Sequence, residues 1–242
     1  MLAPAFTHFH TATFACGARQ HRLAVFDHAA TGLRFHLLPG QPGFHAGDPD
    51  GLSNERRVDV VDIAPLLVGV TPLTRAAWRR IAPTEHPSGA GDLPVGGVSW
   101  FGARAWLTRA GNGLRLPTGA EWEFACRAGE RAPWFFGPTW DPEWCWMLDN
   151  AGGAAQPVSR HADRANAFGL VDVAGNVSEW CEDDVDLPMA GSDWQEGDPG
   201  KVHRGGSFDY PSAHCRSAYR VGSDPRATYP DLGLRPVRSL QL

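Results

Sequence analysis

An α+β fold, with short antiparallel strands, few helices and many loops, is what this 242-residue sequence predicts. Three observations carry that expectation. The helical segments, each with a cap residue in front of it, all lie before residue 130. Beyond Gly129 the helical periodicity stops, and Pro133, Gly137, Pro138, Gly152, Gly153, Gly169, Gly175, Gly191, Gly197, Gly200, Gly205 and Gly206 cut the chain into short pieces. Most of the ten Trp follow residue 99, and an irregular core needs large rings to support its loops.

In chain order, Arg22–Phe26 and Leu33–Leu38 read as short strands. Gly40-Gln-Pro-Gly43 and Gly47-Asp-Pro-Asp-Gly51 read as turns. Residues 1–55 form a strand-rich extension, packed on or continuous with a main domain at 56–242. Val58–Val68 is strand-like. Residues 71–81 read as a helix with Thr71 as cap and Pro72 in its first turn, which puts Leu73, Ala77, Trp78 and Ile81 on one face. Ser99 caps a second helix running to Leu107. Thr118-Gly-Ala-Glu121 is a capping box before a third, short helix.

Net charge is −5, and only one basic residue is a Lys, so no basic face for nucleic acid is expected. Five Cys with no CxxC spacing indicate free thiols rather than a disulfide framework or zinc knuckle. No apolar run approaches eighteen residues, so no membrane insertion is expected. The first residues lack a leader pattern, which gives a cytoplasmic expectation. His8-x-His10 has the spacing of a metal pair but no full ligand set. Scattered His on short strands are more often polar surface or satisfied core groups.

Four motifs follow one another: Pro94–Phe101, Arg115-Leu-Pro-Thr-Gly-Ala-Glu-Trp-Glu-Phe-Ala-Cys-Arg-Ala-Gly129, Asn166-Ala-Phe-Gly-Leu-Val-Asp-Val-Ala-Gly-Asn-Val-Ser-Glu-Trp180 and Arg204-Gly-Gly-Ser-Phe208. In that order they resemble the formylglycine-generating enzyme (sulfatase-modifying factor) family across about residues 60–237. The resemblance implies a C-type-lectin-like fold. It does not fix the function, because the family includes copper-dependent oxidases, iron-dependent carbon–sulfur bond-forming domains and the ligand-binding variable proteins of diversity-generating retroelements.

The oxidases use two Cys after the Gly-Gly-Ser motif, a pair suited to soft Cu(I). Here the first position is Tyr210 and only the second, Cys215, is a thiol. Copper is therefore not expected, and Cys215 is catalytic only under the enzyme alternative. The first 50 residues show no helical periodicity for the His-rich bundle that the iron-dependent members need.

The retroelement variable proteins place their variable segment between Arg-Gly-Gly-Ser-aromatic and Gly-aliphatic-Arg, which here brackets 209–231. The resemblance implies diversification that cannot encode Lys, Glu, Gln, Met or Trp. Those types make up 28 of 242 residues, so about three are expected in these 23 positions, and none occur. Tyr, Ser and Gly are also what an adaptable contact surface uses. The resulting expectation is a non-enzymatic binder of a protein or other macromolecular ligand. Its contacts would be Asp209, Tyr210, Ser212, Ala213, His214, Tyr219, Val221, Gly222, Ser223, Ala227, Thr228, Tyr229, Pro230 and Asp231, about two-thirds of them exposed together. Cys215 and Ala218 should point inward, and Arg204, Arg216, Arg220 and Arg235 should brace loops.

The resemblance also implies a structural calcium site at Asp172, Gly175, Val177 and Glu179, two carboxylates and two carbonyls. Alternatively, Asp172 and Glu179 accept hydrogen bonds in a tight turn.

Overall fold

Alternation along the chain builds a sheet that is covered on both faces along its inner strand Leu66–Gly69. The computed structural model describes residues 5–84, 88–185 and 199–240. Its strands are β1 (Phe6–Cys16), β2 (Arg19–His28), β3 (Arg34–Leu38), β4 (Gln41–Ala46), β5 (Asp59–Ile63) and β6 (Leu66–Gly69). After them come α1 (Arg75–Ile81), α2 (Trp100–Ala110), β7 (Leu114–Arg115) and α3 (Gly119–Arg127). The last strands are β8 (Ser178–Val185), β9 (Gly200–Arg204), β10 (Arg220–Ser223), β11 (Leu232–Gly233) and β12 (Val237–Ser239). Gly191 and Gly197 lie outside the described residues. The mixture of three α-helices with many short strands is α+β.

A six-stranded sheet has the order β1-β2-β3-β6-β12-β7, a four-stranded sheet the order β10-β9-β8-β11, and β4 pairs with β5. The first three strands thus continue the sheet that holds β12. In β6, Leu66 and Val68 enter one hydrophobic cluster while Leu67 enters the other. This is the period-2 pattern of a strand covered on both sides. One cluster takes Trp122, Phe124, Phe168 and Val237, and the other takes Trp78, Trp106, Trp180 and Leu234. Trp78 and Trp106 stack 5.8 Å apart where α1 meets α2. Three buried indole N–H groups find backbone acceptors: Trp106 donates to Trp78 O, Trp180 to Val98 O and Trp100 to Cys181 O.

Ser99 caps α2 and the Thr118–Glu121 capping box opens α3, as the sequence indicates. The first helix differs. It is capped by Thr74, and residues before it are extended because Leu73 exchanges backbone bonds with Leu234 and Val95. Pro72 therefore precedes the helix. The Gly40–Gly43 turn is also corrected. It lies in β4, where Gly43 has φ +62° at a register shift between Gln41 and Phe44, so its glycine serves a bulge.

Candidate functional site

The Arg204–Phe208 segment leaves β9 through Gly205 and Gly206, with φ +97° and +67°. A Cβ on Gly206 would stand 2.9 Å from the His214 carbonyl carbon and 3.0 Å from Cys215 Sγ. Only glycine lets the two strands of chain approach this closely. Ser207 Oγ then donates to Asp231 Oδ2 at 2.5 Å, which ties the start of the 209–231 segment to its end.

Between those ties three rings stack. Tyr210 and His214 are 4.5 Å apart at 23°, and His214 and Tyr219 are 4.3 Å apart at 24°. Tyr219 Oη lies 3.0 Å from His214 Nε2. The three rings, with His203 and Val221, line a narrow cleft. Burial raises the Tyr210 and Tyr219 phenols above the usual range, and Asp231, Tyr229 and Tyr219 add to the effect at Tyr210. Burial lowers His214, and it lowers His203 to about 4, with His214 adding to the effect there. A neutral, mostly apolar aromatic surface results, with hydroxyls at its edge.

Of the fourteen expected contact positions, Asp209, Thr228, Tyr229 and Pro230 are exposed. Tyr210, Ser212, Ala213, His214, Tyr219, Val221 and Ala227 are partly accessible. Gly222, Ser223 and Asp231 are buried, a correction to the expected contact set. The first two lie in β10 against β9, where Ser223 Oγ meets His203 Nε2, and Asp231 serves the Ser207 tie. The expectation of about two-thirds exposed is met only if the half-buried positions are counted.

The residues interleaved with them point inward. Cys215 and Ala218 are buried. Arg204 binds Glu123 at 2.6 Å and the carbonyls of Ala218 and Tyr219 at 2.7 Å. Arg216 binds Glu55 at 2.8 Å and Asp48 at 3.0 Å. Arg220 donates to the carbonyls of Asn54, Glu55 and Arg57. The 47–57 loop thus buttresses the 209–231 segment, a role not legible in the N-terminal sequence.

The residues present do not assemble the expected calcium set. Both Glu179 oxygens accept from Arg235, and Oε2 also accepts from Trp122 Nε1 at 2.6 Å. Burial raises the Glu179 carboxyl against the pull of Arg235. Arg235 also donates to the carbonyls of Gly69, Val70, Val171 and Asp172. Asp172, at φ +51°, accepts from Asn176 Nδ2 at 2.9 Å. Gly175 and Val177 sit in that tight turn as buried backbone. Glu179 thus follows the hydrogen-bond alternative. Among the described residues no group of three or more His, Cys, Asp or Glu could hold a metal ion, and this includes the region of His8 and His10.

Comparison with known proteins bears on this geometry. The profile of the sulfatase-modifying factor enzyme 1-like domain matches residues 28–240. The chain belongs to that family. Formylglycine-generating enzyme of Streptomyces coelicolor is 34% identical over 191 residues, covering 69% of this chain and 60% of that protein. Inactive C-alpha-formylglycine-generating enzyme 2 of Bos taurus is 32% identical over 210 residues, covering 77% and 64%. The chain thus spans less than two-thirds of the length of either relative. Among solved structures, Treponema denticola variable protein 1 superposes with TM-score 0.72 at 22% identity, covering 96% of this chain and all of that one. That likeness is one of fold.

In this sulfatase-modifying-factor domain the five Cys are free and buried. The neighbour of Cys215 is Cys145, a thiol–thiol contact that sequence spacing did not reveal. Burial, reinforced by Cys215, pushes the Cys145 thiol well above its ordinary range. A thiol kept protonated is a poor nucleophile. Among the described residues no helix is long and apolar enough to cross a membrane.

Proposed function

We propose that this protein is a non-enzymatic binder of the retroelement-diversified type, which presents the accessible positions of 209–231 to a protein or other macromolecular ligand. The observation that carries this reading is the alternation of anchored and accessible residues. Arg204, Cys215, Arg216, Ala218 and Arg220 are fixed by core or ion-pair contacts, while Tyr210, His214 and Tyr219 between them form an accessible ring stack. Such an arrangement holds the backbone still while side chains differ, which limits the entropy lost on binding. Tyr is a natural anchor in such a surface. Tyr210 at the first oxidase Cys position, and buried Cys145 and Cys215, speak against the enzyme alternative.

The test is sequencing of many copies of the coding region from one source population. Substitutions should concentrate at 209, 210, 212–214, 219, 221 and 227–230 and spare Cys215, Ala218, Arg220 and Arg235. A segment no more varied than the rest of the gene overturns the reading. Incubation with a Cys-containing sulfatase-type peptide, copper and oxygen should leave the peptide mass unchanged. Turnover that vanishes in Cys215→Ser would establish the enzyme instead.

A further inference from the structure

A second site lies outside 209–231. A cleft of about 540 Å³ opens where the 142–150 segment faces the 160–164 turn. That volume is within the usual range for small-molecule sites, roughly 300–1,000 Å³. None of its lining residues belongs to the proposed contact segment.

Its wall is built from Trp146 and His161, stacked 4.3 Å apart and only 6° from parallel. His161 is 8% exposed, and its Nδ1 lies 3.4 Å from Asp172 Oδ1. Neither of those two atoms has a hydrogen-bond partner. The stacked rings give the cleft a flat aromatic wall.

The rim carries both signs. Arg160 donates to Gln156 Oε1 at 2.9 Å. Arg164 faces Glu143 at 3.3 Å and Asp163 at 3.8 Å. Both acids are largely solvated, so those pairs contribute little and exchange readily for a ligand group. Two guanidiniums suit a carboxylate, which they can bind in a fork.

We infer that this cleft binds a free amino acid or similarly small zwitterion, with its carboxylate on Arg160 and Arg164 and its side chain against the Trp146–His161 wall. Glu143 and Asp163 add attraction for the ammonium at the rim. The inference does not depend on the reading of 209–231.

The experiment is isothermal titration of the whole chain with each of the twenty free amino acids, with inorganic phosphate as an anion control. At least one amino acid should bind saturably at one per chain, and more tightly than phosphate. Arg160→Gln with Arg164→Gln should weaken it about tenfold or more, the effect of about 1.4 kcal/mol. His161→Gln should do the same. Because His161 is buried, the rim variants, which leave the wall intact, keep the test open should that variant not fold. Val60→Ala, exposed and outside the cleft's lining, should bind like wild type. Absence of saturable heat with every amino acid, phosphate binding as tight as any amino acid, or unchanged affinity in the rim variants would overturn the inference.

Discussion

Acid should unfold this protein through three buried histidines. His28, His36 and His203 are buried, and burial holds each at about 4 instead of 6.5. Charges of Arg238 add to the effect at His28, those of Arg34 and His10 at His36, and that of His214 at His203. His36 Nδ1 also meets the Phe168 carbonyl at 2.8 Å, and His203 Nε2 meets Ser223 Oγ at 3.1 Å. A base whose folded pKa is depressed binds its proton more readily in the unfolded chain. Its stabilising contribution is complete above about pH 6.5 and is lost as pH falls toward 4. At about 1.36 kcal/mol for each pH unit, one such residue accounts for about 3 kcal/mol. Three account for about 10 kcal/mol, comparable with the whole stability of an ordinary domain, about 5–15 kcal/mol. The measurement is guanidinium unfolding followed by Trp fluorescence from pH 8 to 4.5. The midpoint should hold above pH 7 and then fall steeply, and His203→Gln should remove about a third of the slope. Glu123, held low by Arg204 and Arg127 against its burial, loses its contribution only below the ordinary Glu value of 4.5, outside this window. A midpoint that is flat from pH 7 to 4.5, or His28, His36 and His203 resonances titrating near 6.5, would refute the reasoning.

Two further outcomes follow from the bracing residues. Arg220→Ala strands the carbonyls of Asn54, Glu55 and Arg57 and should cost about 1–3 kcal/mol, read as a lower midpoint. Tyr229→Ala, at a side chain 47% exposed, should stay within about 0.5 kcal/mol of wild type. The reverse order would mean that the segment is held by its tyrosines. Chelation with EDTA should leave the melting temperature unchanged, because Arg235 already neutralises Glu179, and Glu179→Gln should lower stability by about 3–5 kcal/mol through the unpaired guanidinium. A rise in melting temperature on adding calcium would restore the metal site.

Much of the fold was legible because its signals are local. Ser99 and the Thr118–Glu121 box mark helix starts by chemistry confined to one turn. Thr71-Pro72 offered the same chemistry and failed, because Leu73 is claimed by Leu234 and Val95 from distant parts of the chain. Gly43 shows the same limit, since a glycine permits positive φ without saying whether a turn or a bulge needs it. At the candidate site, the motif flanks indicated which residues are fixed. No local signal shows that Asp231 is spent on Ser207, that Cys145 sits by Cys215, or that Asp48 and Glu55 hold Arg216. Each is a contact made by tertiary closure between separated segments. The Trp146–His161 wall was missed for the same reason. Neither residue has a recognisable spacing to the other, and Asp172 had been assigned to a metal.

The position of β12 has a consequence for translation. This strand lies between β6 and β7, one place in from the edge of the six-stranded sheet, and Arg235 just before it gathers Glu179 and four backbone carbonyls. A sheet strand and the counter-charge for Glu179 therefore follow residue 231 in the chain. A ribosome that stops or shifts frame anywhere in 209–231 releases a product without β12 and without a counter-charge for Glu179, and that product should be a substrate for proteolysis. Missense changes at the accessible positions leave the closing residues in frame. A chain that displays a folded 209–231 segment is therefore one that was read through to β12.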